Sequence, residues 1–310
     1  MENRNETQVT EFILLGFPYH PQTKVALFVV LLAIYLVTLI ANSLFIIITL
    51  AVSQLHLPMY FLLCNLALLD LCYSSVSGPT VLEGLLFQRI SIAYSRCMTQ
   101  MYIALSLGQA ECFLLGVMAW DRYAAICKPF HYHQIMNSQV CVKLTVLCWA
   151  SGFLISLTSV VILPVVHFCG HKDIDHTFCE LQAVSRLTCT HTNFSDISTP
   201  FFAFVSLVAP LCLILFTYLR ILSTILRMST ADRRHRTFTT CGSHLLVVVL
   251  FYGTAMGIYL KPKSTLSSEV DKVSAVFYGQ VAPALNPLIY TLRNKDVTVA
   301  FKKLGHPNIS

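Results

Sequence analysis

Charge is what this chain lacks most. Of its 310 residues only 12% are charged while 55% are hydrophobic, and mean hydropathy is +0.67. A water-facing domain usually carries about 25% charged residues, so these cannot cover a soluble surface. Also missing are an internal repeat and any linker long enough to join a second folded domain. Residues 1–24 are polar and include acids, unlike the basic start and short apolar core of a cleaved signal peptide. Insertion then falls to the first long apolar block. The net charge of +6 is spread over short loops and tails without an aromatic-interleaved basic patch, which argues against nucleic acid as a partner.

What is present is apolar sequence in long blocks: Val25 to Leu50, Met59 to Thr80, Cys97 to Trp120, Val140 to Leu163, Thr199 to Leu222, Phe238 to Leu260 and Val273 to Leu292. Each has the roughly 20 residues a helix needs to cross about 30 Å of hydrocarbon. The expected fold is an all-α membrane protein. Residues 1–24 form a leader, 25–292 a seven-transmembrane helix bundle, and 293–310 a tail with a short amphipathic eighth helix, Val297, Ala300, Phe301 and Leu304 sharing its apolar face.

Basic residues orient such a bundle, because Lys and Arg are retained on the cytoplasmic side. Arg227, Arg233, Arg234 and Arg236 between spans five and six favour an outside N-terminus. The sequons at Asn5 and Asn193 then fall outside as glycosylation candidates, whereas a third at Asn308 falls inside. Of the 12 cysteines, Cys97, Cys169, Cys179 and Cys189 lie on the oxidising side, where three pairings are open.

Asp70 and Glu111 fall deep within spans two and three, where an aspartate costs roughly 2.5–3.5 kcal/mol to insert. Such a pair holds a cation, shares a proton or serves a structural hydrogen-bond network. Asp121-Arg122-Tyr123 closes span three, and Asn286-Pro287-Leu288-Ile289-Tyr290 puts a helix-kinking proline in span seven. Alone, the first is a weak match that a chance interfacial arginine explains, and kinked helices occur in static membrane proteins too.

Five motifs together resemble one family, the odorant receptors among the rhodopsin-like G protein-coupled receptors. They are Glu11-Phe12-Ile13-Leu14-Leu15-Gly16-Phe17, Leu57-Pro58-Met59-Tyr60-Phe61-Leu62, Met118 to Cys127, Phe238 to His244, and Pro287 to Lys295, each at its proper span. Trp120, Ala41 and the pair Arg236-Thr237 depart from the family's usual residues.

The resemblance implies disulfides Cys97–Cys179 and Cys169–Cys189, a G-protein switch of Asp121, Arg122 and Tyr123, and rearrangement at Asn286, Pro287 and Tyr290. It makes Asp70 and Glu111 a polar centre open to sodium. A ligand pocket in the outer half would draw on Ala104, Leu105, Gly108, Gln109, Phe202, Ser206, Tyr252, Ala255, Met256 and Tyr259, whose plain alternative is helix packing. Mostly apolar with a few polar groups, it suits small volatile molecules. Ala104 lacks the carboxylate of an amine receptor, and Gln280 replaces the retinal-linking lysine of an opsin.

The implied partners are an odorant, a stimulatory olfactory-type G protein that raises cyclic AMP, and the lipid bilayer of the plasma membrane. No cofactor is implied. Rival readings are a receptor for a non-volatile small molecule outside the nose and a transporter. The transporter usually shows repeated halves with midplane charges in both, whereas the intramembrane acids here are confined to spans two and three. Catalysis lacks a third partner for His244 and Cys241.

Overall fold

A computed structural model describes residues 9–162, 172–187, 193–228, 230–259, 268–293 and 297–300. Its long helices are α1 (Pro21–Ala51), α2 (Pro58–Leu86), α3 (Tyr94–Cys127), α4 (Ser138–Ile162), α5 (Asn193–Leu226) and α6 (Ala231–Tyr259). The last, α7, runs without a break through Ser268–Val276, a π turn at Phe277–Val281, and Ala282–Arg293. Pro21 and Pro58 stand in the first turns of α1 and α2, where a missing N–H costs nothing and a fixed φ helps.

Helices α1 to α6 each contain a segment long and apolar enough to cross a membrane. Their polarity runs inside out. On α1 the exposed side chains are Val25, Val29, Leu36, Ile40, Leu44 and Ile47, while Thr38, Asn42 and Thr49 are buried. Lipid accepts the apolar face, and polar groups turn inward to find partners within the protein. Thus Asn42 donates to the Pro283 carbonyl at 3.1 Å, tying α1 to α7.

Helix α3 is central, packing on α2, α4, α5 and α6. Small residues set how closely the others approach. A Cβ on Gly152 of α4 would lie 2.5 Å from the Ser106 carbonyl oxygen and 2.8 Å from the Ala110 nitrogen. On the α5 side, Gly116 faces Pro210. Pro210 lies inside α5, as Pro79 does in α2.

The all-α expectation needs one correction. At the end of the bundle where the leader lies, β1 (Glu11–Leu15) pairs antiparallel with β2 (Arg89–Ala93) and parallel with β3 (Asp173–Ile174). Strand alternation puts Phe12, Leu14, Ile90, Ile92 and Ile174 into one apolar cluster with Cys97, Met101 and Cys179. A disulfide joins Cys97 to Cys179. Gln100 adds to the join, accepting from the Cys179 N–H at 3.1 Å and donating to Val76 O and Thr80 Oγ1 at 2.9 Å each.

The cap is also fastened to α7. Lys272, only 3% exposed, puts Nζ 2.6 Å from Asp175 Oδ1 and 3.1 Å from the Gly16 carbonyl oxygen. Gly16 in turn lies where a Cβ would come 2.3 Å from Gly84 O. From Glu11 to Gly16 the leader is therefore a structural part of the cap. At the opposite, tail end, residues 297–300 are helical, with Val297 and Ala300 buried against the bundle. Phe301, Leu304, Asn5, Cys169 and Cys189 lie outside the described residues.

Replacing Gly152 by Ala is expected to cost about 1–3 kcal/mol, because two backbones rather than a flexible side chain stand in the way. Gly253→Ala meets nothing within 4 Å and serves as control. Thermal midpoints of the purified protein should fall by several degrees for the first substitution and stay put for the second.

Candidate functional site

The residues singled out in the sequence fall at three levels of the bundle. At the tail end of α3, Asp121 is 2% and Arg122 8% exposed, and the two turn to different partners. Asp121 Oδ1 accepts from the Tyr132 hydroxyl at 2.8 Å, while Arg122 Nη1 points at Met59 Sδ of α2. Burial and the neighbouring Asp121 carboxylate push the Tyr132 phenol well above its usual range, so it stays a protonated donor. Tyr123 packs with Ile221 and Ile225 of α5 and Cys241 of α6. Beside them the Tyr218 hydroxyl lies 2.8 Å from His244 Nδ1, the rings stacked at 5.7 Å. One turn of α3 thus touches α2, α5, α6 and the short helix Tyr132–Ile135.

Met59, Tyr132, Tyr218 and His244 were not foreseen as partners, since nothing in their local sequence says which helix faces which. Phe130 was missed as well. It is 97% exposed in the short connection between α3 and α4, an apolar ring with no apolar neighbour to cover it.

At mid-height Asp70, 1% exposed, accepts from Asn286 Nδ2 on both carboxylate oxygens at 3.0 Å each. A small cavity beside it is lined by Asn42, Phe45, Leu63, Leu66, Ala67, Asp70, Asn286, Pro287 and Tyr290. Among the described residues Asn42 Oδ1, Asn286 Oδ1 and the Tyr290 hydroxyl, all buried, find no hydrogen-bond partner. Pro287, inside α7, is part of the same lining. Glu111 is buried in α3 but does not line this cavity.

Toward the leader end lie the candidate ligand residues. Ala104 is buried, and Leu105 packs up against the cap cluster. Gln109 Oε1 is buried with no donor among the described residues. Ser206 is buried, its hydroxyl donating to the Phe202 carbonyl at 2.8 Å. Tyr252 and Ala255 are buried on α6, with the Tyr252 hydroxyl donating to Cys112 O at 3.1 Å. Gly108 sits under the Tyr278 hydroxyl of α7.

Met256 is a correction. It is 38% exposed on the stripe Leu246, Val249 and Met256 that faces away from the bundle, about 100° round the helix from Ala255. The Tyr259 and Asn193 side chains lie outside the described residues.

A family model described as olfactory receptor matches residues 31–305. The chain belongs to the olfactory receptor family. Human olfactory receptor 2K2 is 44% identical over 304 residues, covering 98% of this chain and 96% of its own. Human olfactory receptors 10A7 and 2D2 are each 44% identical as well, over 96% and 99% of this chain and 95% and 99% of theirs. This olfactory receptor is accordingly a multi-pass membrane receptor of the G protein-coupled class and not an enzyme.

In this receptor Tyr132→Phe strips the buried Asp121 of the hydroxyl that donates to it. The expected cost is about 1–3 kcal/mol, read as a lower thermal midpoint. An unchanged midpoint would mean that water replaces the phenol without loss.

Proposed function

We propose that the chain is an odorant receptor that binds small, volatile, mostly apolar molecules in the half of the bundle nearest the leader. On this reading α1 to α7 make seven crossings, the N-terminus is extracellular, and the tail with its short interfacial helix is cytoplasmic. Asn5 and Asn193 are then the glycosylation sites, and Cys169 pairs with Cys189. The carrying observation is the placing of two kinds of residue along α3: Leu105 against the cap with Ala104 and Gln109 below it, and Arg122 against α2 at the other end.

The ligand acts by population shift. A molecule that fits better when the tail ends of α3, α5 and α6 have separated favours that packing. The apolar lining of Ala104, Leu105, Phe202 and Ala255 supplies affinity, and Ser206, Tyr252 and the unpartnered Gln109 oxygen give a weakly polar ligand its orientation. Tyr259, by its place in the sequence, is proposed for the same pocket. The partner admitted is a stimulatory olfactory-type G protein that raises cyclic AMP. Arg122, with Asp121 and Tyr123 about it, would face that partner, and the bare ring of Phe130 offers it an apolar anchor.

The donor set at mid-height fits a small hard cation such as sodium. Asp70 brings its carboxylate, and the Asn42 and Asn286 carbonyl oxygens stand by unpartnered. Glu111 supplies the second carboxylate within electrostatic reach of Asp70, and a cation or a shared proton relieves that repulsion. Asn286, Pro287 and Tyr290 line the same cavity, so a change in its occupancy acts directly on α7.

The test is cyclic AMP in cells that express the chain with an olfactory G protein, exposed to a panel of small volatiles. A dose-dependent rise is expected in the parent and none in Arg122→Ala at equal surface expression. Silence of surface-labelled parent across a wide panel would count against the odorant class.

A further inference from the structure

Helix α7 changes its winding at one place, the π turn Phe277–Val281 between two α-helical runs. A π turn is a rare single-turn bulge, often found where function needs it, and here side chains of the turn are gripped by three other helices. Tyr278 stands edge-on to Tyr73 of α2, ring centroids 5.0 Å apart, and 5.3 Å from Phe251 of α6. Its hydroxyl lies over Gly108 of α3, where a Cβ would come within 2.8 Å of it. Gln280, 2% exposed, donates to Ser77 Oγ at 3.0 Å and to the Ser74 carbonyl at 3.4 Å. Gly279 lets α2 come close, since a Cβ there would lie 3.0 Å from the Tyr73 ring.

The α-helical run that follows carries Asn286, which donates to both oxygens of Asp70. Rewinding the π turn as α-helix would shift the register below it by one residue, about 100° of rotation and 1.5 Å of rise. Asn286 would then leave Asp70.

We propose that Tyr278 is the positioning residue of α7. Seated in the notch that Gly108 leaves, it holds the π turn open and thereby fixes Asn286 on Asp70. The notch is one turn of α3 from Ala104 and Leu105, so a molecule bound there that unseats Tyr278 alters α7 as far as its tail end. This goes beyond the odorant reading, because it names the contact that carries the signal rather than the ligand or the G protein.

The experiment is amide hydrogen exchange on the full chain in nanodiscs, with neither ligand nor G protein added. Gly108→Ala is expected to raise exchange across Ala282–Arg293 by at least about threefold, although the substitution lies on another helix. On a Tyr278→Phe background the clashing oxygen is gone, and the same substitution should change that exchange by less than about 1.5-fold.

An effect confined to the surroundings of residue 108, or equal on both backgrounds, overturns the proposal. Should Gly108→Ala fail to fold, Tyr278→Leu takes its place: it removes the ring without adding bulk, and unchanged exchange at Ala282–Arg293 is then the overturning result. A silent cyclic AMP assay would leave this outcome intact, and failure here would leave the odorant reading standing.

Discussion

A carboxylate inside hydrocarbon has to be met by the chain itself, because no water is there to do it. In this bundle Asp70 is met by Asn286, whose amide nitrogen serves both oxygens, and that contact fixes how α7 is rotated against α2. Asn42 fixes the same helix from the other side through the Pro283 carbonyl, a group near the kink where an intrahelical donor is missing. Once α7 is set by these two amides, the Tyr290 hydroxyl and the cavity beside Asp70 have only one place to be. The arrangement is firm in direction yet not saturated: among the described residues three buried polar atoms around the cavity lack partners, so a second packing that satisfied them differently need not lie far above the first.

The cap solves a different problem. A loop that crosses the mouth of a bundle exposes backbone groups on one side and apolar side chains on the other. Strand pairing answers both at once, joining backbone groups in the ladder while alternation sends Phe12, Leu14, Ile90 and Ile92 downward. The disulfide Cys97–Cys179 then closes a long chain loop onto the top of α3, which lowers the entropy of the unfolded chain. Lys272 joins leader, loop and α7 through one ammonium group. Leu105, one of the proposed ligand residues, therefore sits beneath a cap that is tied to the helix carrying Asn286.

The helices and the inward placing of the intramembrane acids were legible in the sequence because lipid imposes a length and a polarity on each span. The cost of leaving Asp70 and Glu111 in lipid pointed both toward the bundle interior, where they are buried. The three-stranded sheet was not legible. Glu11–Leu15 is a five-residue alternation whose partners lie at 89–93 and 173–174, and so short a run carries no signal of its own. Met256 was misplaced because a step of four from Tyr252, which already lies at the edge of the buried stripe, carries it past that edge, while a step of three to Ala255 does not. The pairings of Tyr132 with Asp121 and of Met59 with Arg122 are long-range choices that only the packed bundle makes.

Glycine does much of the choosing. At Gly152 the absence of a side chain lets α4 lie directly on the backbone of α3, whereas at Gly108 it leaves a space that another helix fills with the Tyr278 hydroxyl. The first kind of contact is close and backbone to backbone, so it holds two helices at a fixed distance. The second is a side chain in a seat, and a side chain can leave by rotating about its own bonds at small cost. Helices α3 and α4 are thus held at a fixed distance from one another. Helix α7, held by an aromatic ring and two amides next to a π turn, has contacts that exchange one by one, which is the property a conformational signal needs.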